Sequence, residues 1–194
     1  MTAVPGKIIL LNGATSSGKS SIAKALQSTI DAPFWHFSID HLRDAGVLPL
    51  ARIERGDFQW PAMREAFFEG FHQSLPAFAS AGNHLIVEHI IETQAWMRRL
   101  VHLLSGFDVF LVGIHCPLTE LERREKARGD RPAGGARRDF ETIHENAIYD
   151  LALDGLKSPE ENTRLLIDAW HKRPNSSVFS QLSADVENIR WAAK

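Results

Sequence analysis

Residues 13–20 are Gly13-Ala14-Thr15-Ser16-Ser17-Gly18-Lys19-Ser20, and they match the pattern G-x-x-x-x-G-K-[ST] at every fixed position. The preceding residues, 7–12, form a short apolar run that is typical of a buried strand. The following residues, 20–26, carry apolar side chains at the spacing of one helical face. A strand, a glycine-flanked loop and a helix in this order predict a phosphate-binding loop.

The chemistry of such a loop follows from its residue types. Glycine at positions 13 and 18 lets the backbone adopt positive φ and approach a ligand closely, so that N–H groups point inward at anionic oxygens. The dipole of the following helix favours the same anion. We expect Lys19 to reach the β- and γ-phosphates of ATP and the Ser20 hydroxyl to bind Mg²⁺. The predicted nucleotide contacts are Gly13, Ala14, Thr15, Ser16, Ser17, Gly18, Lys19, Ser20 and Ser21.

Composition is that of an ordinary globular domain. The chain has 194 residues, of which 44% are hydrophobic and 24% are charged, with a formal net charge of −2. This balance argues against a nucleic-acid partner or a membrane surface, and no apolar run approaches membrane-spanning length. The single cysteine, Cys116, excludes a disulfide within the chain, and residues 1–6 lack the features of a signal peptide. We therefore expect a cytoplasmic protein; whether it forms a homo-oligomer is left open.

Strand-like and helix-like segments alternate along the rest of the chain. This alternation predicts an α/β fold of three layers, with a five-stranded parallel sheet and helices on both faces. Residues 46–60 show no period, and the long helix that begins at Pro61 is expected to kink or break at Pro76. We assign residues 1–175 to one kinase-like domain and residues 176–194 to a C-terminal extension of it. The predicted strands after the first are 34–39, 84–88, 107–116 and 149–154, and a further helix is predicted from Phe140 to Ile148.

Two acidic residues stand at the ends of predicted strands, Asp40 and Glu88. In an open parallel sheet, ligands lie beyond the carboxyl ends of the strands, which places both acids on the edge that carries the phosphate-binding loop. Asp40 could also cap the next helix or bind a metal ion through water. Glu88 could belong to a metal shell, contact a substrate or simply end its strand.

Basic residues concentrate between Arg123 and Arg138, where the glycine-rich stretch 128–138 lacks apolar anchors and is expected to be mobile. We expect Arg123 and Arg124 to lie on the surface of a charged helix. Four aromatic residues could line an acceptor pocket or belong to the core: Phe58, Trp60, Phe67 and Phe71. Three histidines are expected to be structural or on the surface rather than catalytic: His89, His115 and His144.

Several motifs together resemble the chloramphenicol phosphotransferase family over about residues 7–172. They are the phosphate-binding loop, Phe37-Ser38-Ile39-Asp40, Leu85-Ile86-Val87-Glu88, Val112-Gly113-Ile114-His115-Cys116-Pro117, Arg128-Gly129-Asp130-Arg131, His144-Glu145 and Tyr149-Asp150. The resemblance implies a P-loop NTPase fold of the nucleotide-kinase type. It also implies transfer of the γ-phosphate of ATP to a hydroxyl of a small organic molecule, which links the chain to antibiotic resistance.

The same resemblance implies roles for individual residues. Asp40 matches the acid that takes the proton from the acceptor hydroxyl, and Arg128 and Arg131 match arginines of a lid, here about residues 128–139. With Lys19 and Mg²⁺, these arginines supply the positive charge that phosphate transfer needs. The family usually has an Asp-Asp pair after the third strand, where this chain has Glu88-His89. Two alternatives stay open: a kinase of the shikimate, gluconate or nucleoside type, and a non-catalytic ATP-binding module.

Overall fold

The computed structural model describes residues 4–129, 134–145, 147–174 and 176–184. The strands are β1 (Ile8–Gly13), β2 (Phe34–Ser38), β3 (His84–His89), β4 (Val109–His115) and β5 (Leu151–Asp154). The helices are α1 (Lys19–Thr29), α2 (Ile39–Asp44), α3 (Leu50–Glu54), α4 (Trp60–Ser80), α5 (Gln94–Leu104), α6 (Leu118–Arg128), α7 (Gly135–Thr142) and α8 (Pro159–Lys172). Residues 178–184 are also helical.

The five strands form one sheet in the order β2-β3-β1-β4-β5, and every pair of neighbours is parallel. β1 lies at the centre, and the alternate side chains of residues 8–11 point to opposite faces. Ile8 and Leu10 pack in a core cluster with α4 and α5, while Ile9 and Leu11 pack in a second cluster with α1 and α8. Because β1 is covered on both faces, its sequence is continuously apolar. The predicted three-layer α/β fold is confirmed.

The parallel arrangement determines where the functional residues lie. Ser38 pairs with Glu88 in the register of β2 and β3, and Asn12 pairs with His89 in that of β1 and β3. All five strands therefore end at one edge of the sheet, and the loops that follow them meet there. This is the edge at which open parallel sheets bind ligands.

Two helix starts follow from local sequence alone. Thr93 caps α5, since its side chain accepts a hydrogen bond from the N–H of Trp96. Ser158 caps α8 with a complete capping box that includes Glu161, and Pro159 occupies the first turn. Both caps confirm the prediction, because each depends on residues within one helical turn.

Three predictions about helices need correction. Residues 46–60, which show no period, contain the short helix α3, and α4 is not broken at Pro76 but runs to Ser80. Proline removes one backbone donor, but buried Leu75 and Ala79 hold the helix on both sides of it. The predicted helix 140–148 is instead α7, which follows Gly134 in the left-handed region and ends at Thr142.

The segment after α8 packs on the same body. Phe179 is buried in the cluster beneath α4 and α5, and the Val178 N–H donates to Asp150 Oδ1 at 2.7 Å. Within the described residues, none of the helices combines the length and apolar character needed to cross a bilayer.

Candidate active site

The phosphate-binding loop, residues 13–20, joins β1 to α1 and needs its glycines for different reasons. Gly18 has φ +100°, and Ser16 also has a positive φ, +66°. Gly13 does not have a positive φ, contrary to the prediction. A Cβ atom there would lie 2.8 Å from Ser17 Oγ and 2.9 Å from the Ile114 carbonyl oxygen. The first glycine therefore allows close packing against β4, and the second allows the turn into α1.

Lys19 lies across the loop. Its Nζ donates to the carbonyl oxygens of Gly13 and Ala14 at 2.7 and 2.8 Å, and the residue is only 8% exposed. Lys19 is also the first residue of α1, whose N-terminus faces the same cleft. A buried ammonium group and a helix N-terminus beside the loop make this end of the cleft favourable for an anion.

Ser20 and Glu88 join the loop to β3. The Ser20 hydroxyl donates to Glu88 Oε2 at 2.7 Å, and His36 Nε2 forms a short hydrogen bond with Glu88 Oε1. Burial raises the pKa of Glu88, but the hydrogen bonds from His36 and Ser20 and the charge of Lys19 outweigh it, so the pKa lies below its ordinary value. A serine hydroxyl beside an ionised carboxylate is an oxygen donor set that fits Mg²⁺.

Asp40 lies in the first turn of α2, on the same cleft as Glu88. The cap of α2 is Ser38, whose side chain accepts a hydrogen bond from the Asp40 N–H at 3.2 Å. The alternative that Asp40 caps this helix is therefore wrong. Its carboxylate lies 3.3 Å from the Arg43 guanidinium across one helical turn.

The arginines separate into two groups. Arg124 is not a surface residue as predicted: its guanidinium donates to the carbonyl oxygens of Ser16 at 3.5 Å and Gly155 at 2.8 Å. Arg123 pairs with Glu120 and is largely exposed, as expected; it also lines the cleft but has no hydrogen bond to the loop among the described contacts. Arg128 lines the cleft, whereas Arg131 lies outside the described residues.

Asp139 is a functional candidate that the sequence did not reveal. It is 1% exposed, and its Oδ2 accepts hydrogen bonds from the Thr15 N–H at 3.0 Å and hydroxyl at 2.6 Å. Its Oδ1 accepts from Arg138. Asp139 therefore ties α7 to the phosphate-binding loop. In the sequence it follows two arginines and resembles any residue of a charged surface helix.

Asn12, the residue before the loop, forms hydrogen bonds with two segments that are distant in sequence. Its amide nitrogen donates to the Tyr149 hydroxyl at 2.9 Å, and its amide oxygen accepts from the Ile91 N–H at 3.0 Å. Burial raises the pKa of Tyr149 to about 12, so the hydroxyl remains protonated. These bonds join β1 to the segments after β3 and before β5. No local sequence pattern marks them, because the partners are far apart in the chain.

A cleft of about 500 Å³ lies at this edge of the sheet, and the loop, Asp40, Glu88 and Arg128 all line it. We call the loop with Lys19 the phosphate end of the cleft and Asp40 with α2 its acceptor end; Glu88 contacts the phosphate end through Ser20. A family model described as "Chloramphenicol phosphotransferase-like protein" matches residues 6–171. The chain belongs to this family.

Other comparisons agree with the family. "Putative O-phosphotransferase" from Mycobacterium tuberculosis is 31% identical over 197 residues, covering 91% of this chain and 88% of that protein. Among solved structures, the APS kinase of Mycobacterium tuberculosis is similar with a TM-score of 0.65 and 22% identity, covering 86% of this chain and 98% of that one. A gluconokinase from Sinorhizobium meliloti has a TM-score of 0.59 and 17% identity, with 99% of both chains covered. The protein is therefore a phosphotransferase with the fold of P-loop kinases.

In this chloramphenicol phosphotransferase-like protein, His89 borders the cleft, is only 2% exposed and packs against other rings. Its Nε2 lies 2.7 Å from His72 Nε2, and the two rings stack among Phe68, Phe71 and Trp96. Burial, together with the neighbouring His72, lowers the pKa of His89 to about 3, and burial lowers that of His72 to about 4. Both imidazoles are therefore neutral near pH 7.

The aromatic candidates divide between core and surface. Phe71 is buried in the core, as the simpler interpretation holds. Trp60 and Phe67 pack edge to face on each other at 5.8 Å between ring centroids, and Phe58 stacks with Arg52 on the surface. None of the four lines the cleft beside Asp40.

Proposed function

We propose that this phosphotransferase uses Mg²⁺ and ATP to phosphorylate a hydroxyl group of a small organic molecule. The observation that carries the proposal is the convergence of Lys19, Ser20, Glu88 and Asp40 on one cleft. Phosphate transfer needs a held triphosphate, a metal ion and an oriented hydroxyl, and the two ends of this cleft offer groups for each.

The phosphate end binds the nucleotide. The N–H groups of residues 13–21 and the N-terminus of α1 receive the phosphates, and Lys19 neutralises their charge. The Ser20 hydroxyl is a ligand of Mg²⁺, with Glu88 beside it as the acid that accepts its hydrogen bond. When bound, Mg²⁺ supplies charge neutralisation between the phosphates.

The acceptor end receives the hydroxyl. We assign Asp40 as the group that accepts the hydroxyl proton, because it lines the cleft and lies in the first turn of α2 beyond the end of β2. Arg128, which lines the cleft, is assigned to the phosphates as a lid arginine, and Arg131 keeps the same role as the resemblance implies. Residues 135–139 of the expected lid belong to α7, which Asp139 fastens to the loop. The guanidinium geometry matches phosphate oxygens in pairs.

Chloramphenicol is the first acceptor to test, because its phosphorylation would connect the protein with antibiotic resistance. Gluconate, shikimate and nucleosides are the acceptors of the alternative interpretation. The single cysteine supports a cytoplasmic setting for this activity. We assign acceptor choice to the residues around the ends of β2 and β3, where Glu88-His89, the last residues of β3, stand in place of the Asp-Asp pair usual in the family.

The test measures phosphorylated product and ADP with each acceptor in turn, with Mg²⁺ and ATP. We expect one class of acceptor to give product at the rate at which ADP forms. Lys19→Ala should lower that rate by about 10²–10³-fold, since one preorganised charge contributes that much. Thermal unfolding of the variant controls for folding. Nucleotide binding without product for any acceptor would favour a non-catalytic ATP-binding module instead.

A further inference from the structure

A second cluster of side chains consists of Glu88 and two histidines. His36 is on β2, His41 is on α2 and Glu88 is on β3, and each offers one ligand atom. These three atoms all lie within 4.8 Å of one another. Neither histidine lines the cleft, so the cluster shares only Glu88 with it.

The donor set of this cluster differs from that of the cleft. Two imidazoles and a carboxylate are ligands that Zn²⁺ and similar transition metals prefer, whereas Mg²⁺ prefers oxygen alone. Metal bonds of about 2.0–2.2 Å draw tetrahedral ligands to about 3.4 Å from each other. The ring of His41 already lies edge to face with that of His36, at 4.5 Å between centroids. Because His41 is exposed, its side chain can rotate to bring the three ligand atoms closer together.

The two oxygens of Glu88 connect the cluster with the cleft. Oε2 accepts the hydrogen bond of Ser20, the proposed Mg²⁺ ligand, while Oε1 faces His36. A cation bound at Oε1 would withdraw negative charge from Oε2 and stand close to a second cation at Ser20. Occupation of the cluster therefore opposes Mg²⁺ binding at the loop.

We propose that His36, His41 and Glu88 bind one Zn²⁺-type transition-metal ion, and that this ion inhibits phosphate transfer. The inhibitory part rests on the proposed function, while metal binding itself does not. The site leaves a fourth position for water, because the part of the chain that the structure describes supplies three ligands there.

The binding test uses Co²⁺, because tetrahedral Co²⁺ absorbs visible light more strongly than the hydrated ion. Nucleotide is left out, because it chelates metal ions. We expect one Co²⁺ per chain and an absorption spectrum that Zn²⁺ abolishes by displacement. His41→Ala should weaken Co²⁺ binding by at least about tenfold, because removing even a residue that only supports a metal ligand has an effect of that size. His102→Ala is the matched control, since His102 is an exposed helical histidine outside the cluster.

A Co²⁺ spectrum and affinity that His41→Ala leaves unchanged would overturn the site, as would failure to bind Co²⁺. The inhibition test measures transfer at buffered Zn²⁺ concentrations in the full chain and in His41→Ala, each relative to its own zinc-free rate. Chelation of Zn²⁺ by nucleotide is the same in both. Equal inhibition of the two proteins would overturn the regulatory role, and an inactive chain would still give the Co²⁺ result.

Discussion

The two ends of the cleft are built differently. At the phosphate end, Lys19 and Asp139 are buried, and the loop forms hydrogen bonds with Asp139 and Arg124 as well as with its own Lys19. At the acceptor end, α2 contains no buried residue. A rigid phosphate end suits a ligand that is the same in every kinase of this fold, while a lightly packed acceptor end can change its substrate at little cost in stability.

The largest expected effect lies at the acceptor end. Asp40→Asn should lower kcat by about 10²–10⁴-fold, because it removes the proposed proton acceptor. The dissociation constant for ATP should change little, since asparagine has the size of aspartate and the proposed role of Asp40 is towards the acceptor hydroxyl. The measurement is steady-state kinetics with ATP binding by calorimetry.

Asp44→Asn is the matched control for Asp40, because Asp44 lies on the same helix, exposed and paired with Arg43. Near-normal kcat in Asp40→Asn would show that another group orients the hydroxyl. It would also weaken the distinction between the two ends of the cleft.

The next effect tests the rigidity of the phosphate end. Asp139→Ala leaves the Thr15 N–H and hydroxyl without their acceptor and should lower the free energy of unfolding by about 1–3 kcal/mol. Urea denaturation measures this change. Asp168→Ala removes an exposed ion pair with Lys172 and should cost no more than about 0.5 kcal/mol. Equal losses in the two variants would refute a supporting role for Asp139.

Two neighbouring arginines sharpen the comparison within one helix. Arg124→Ala removes the contacts to Ser16 and Gly155 and should weaken nucleotide binding by about tenfold, as expected for one charged hydrogen bond. Arg123→Ala shares the Glu120 partner but not the loop, and should leave binding within about twofold. Calorimetric titration of both variants decides; equal weakening would mean that helix charge alone matters.

The last prediction concerns pH. His72 and His89 have pKa values lowered from 6.5 to about 4 and about 3, so the unfolded chain binds protons first as the pH falls. Their contribution to stability is complete above pH 6.5 and is lost progressively towards pH 4. Chemical denaturation at several pH values measures the slope, which His72→Gln should reduce. If the free energy of unfolding changes with pH by the same slope in His72→Gln as in the full chain, the pKa of His72 is not lowered by folding.

Local patterns predicted much of this molecule. The loop with its flanking strand and helix, the cap of α5 and the capping box of α8 depend on residues that are close in sequence. The alternation of strands and helices along the chain predicted the parallel sheet. The interpretation of Arg124 as a surface residue is wrong, and Asp139 was not identified, because each acts on a segment more than 100 residues away. Charge patterns on a helix do not reveal which face meets a distant loop.

The sequence by itself determined the phosphate end, since a glycine-flanked loop after a buried strand has one effective geometry and one chemistry. Only the tertiary structure decided which polar groups meet around it: Asp139 at Thr15, Arg124 at Ser16, and Glu88 between Ser20 and His36. The physical reason is the distance along the chain over which each kind of interaction acts. Backbone conformation and capping act within a few residues, whereas a buried carboxylate finds its partners through the packing of the whole sheet.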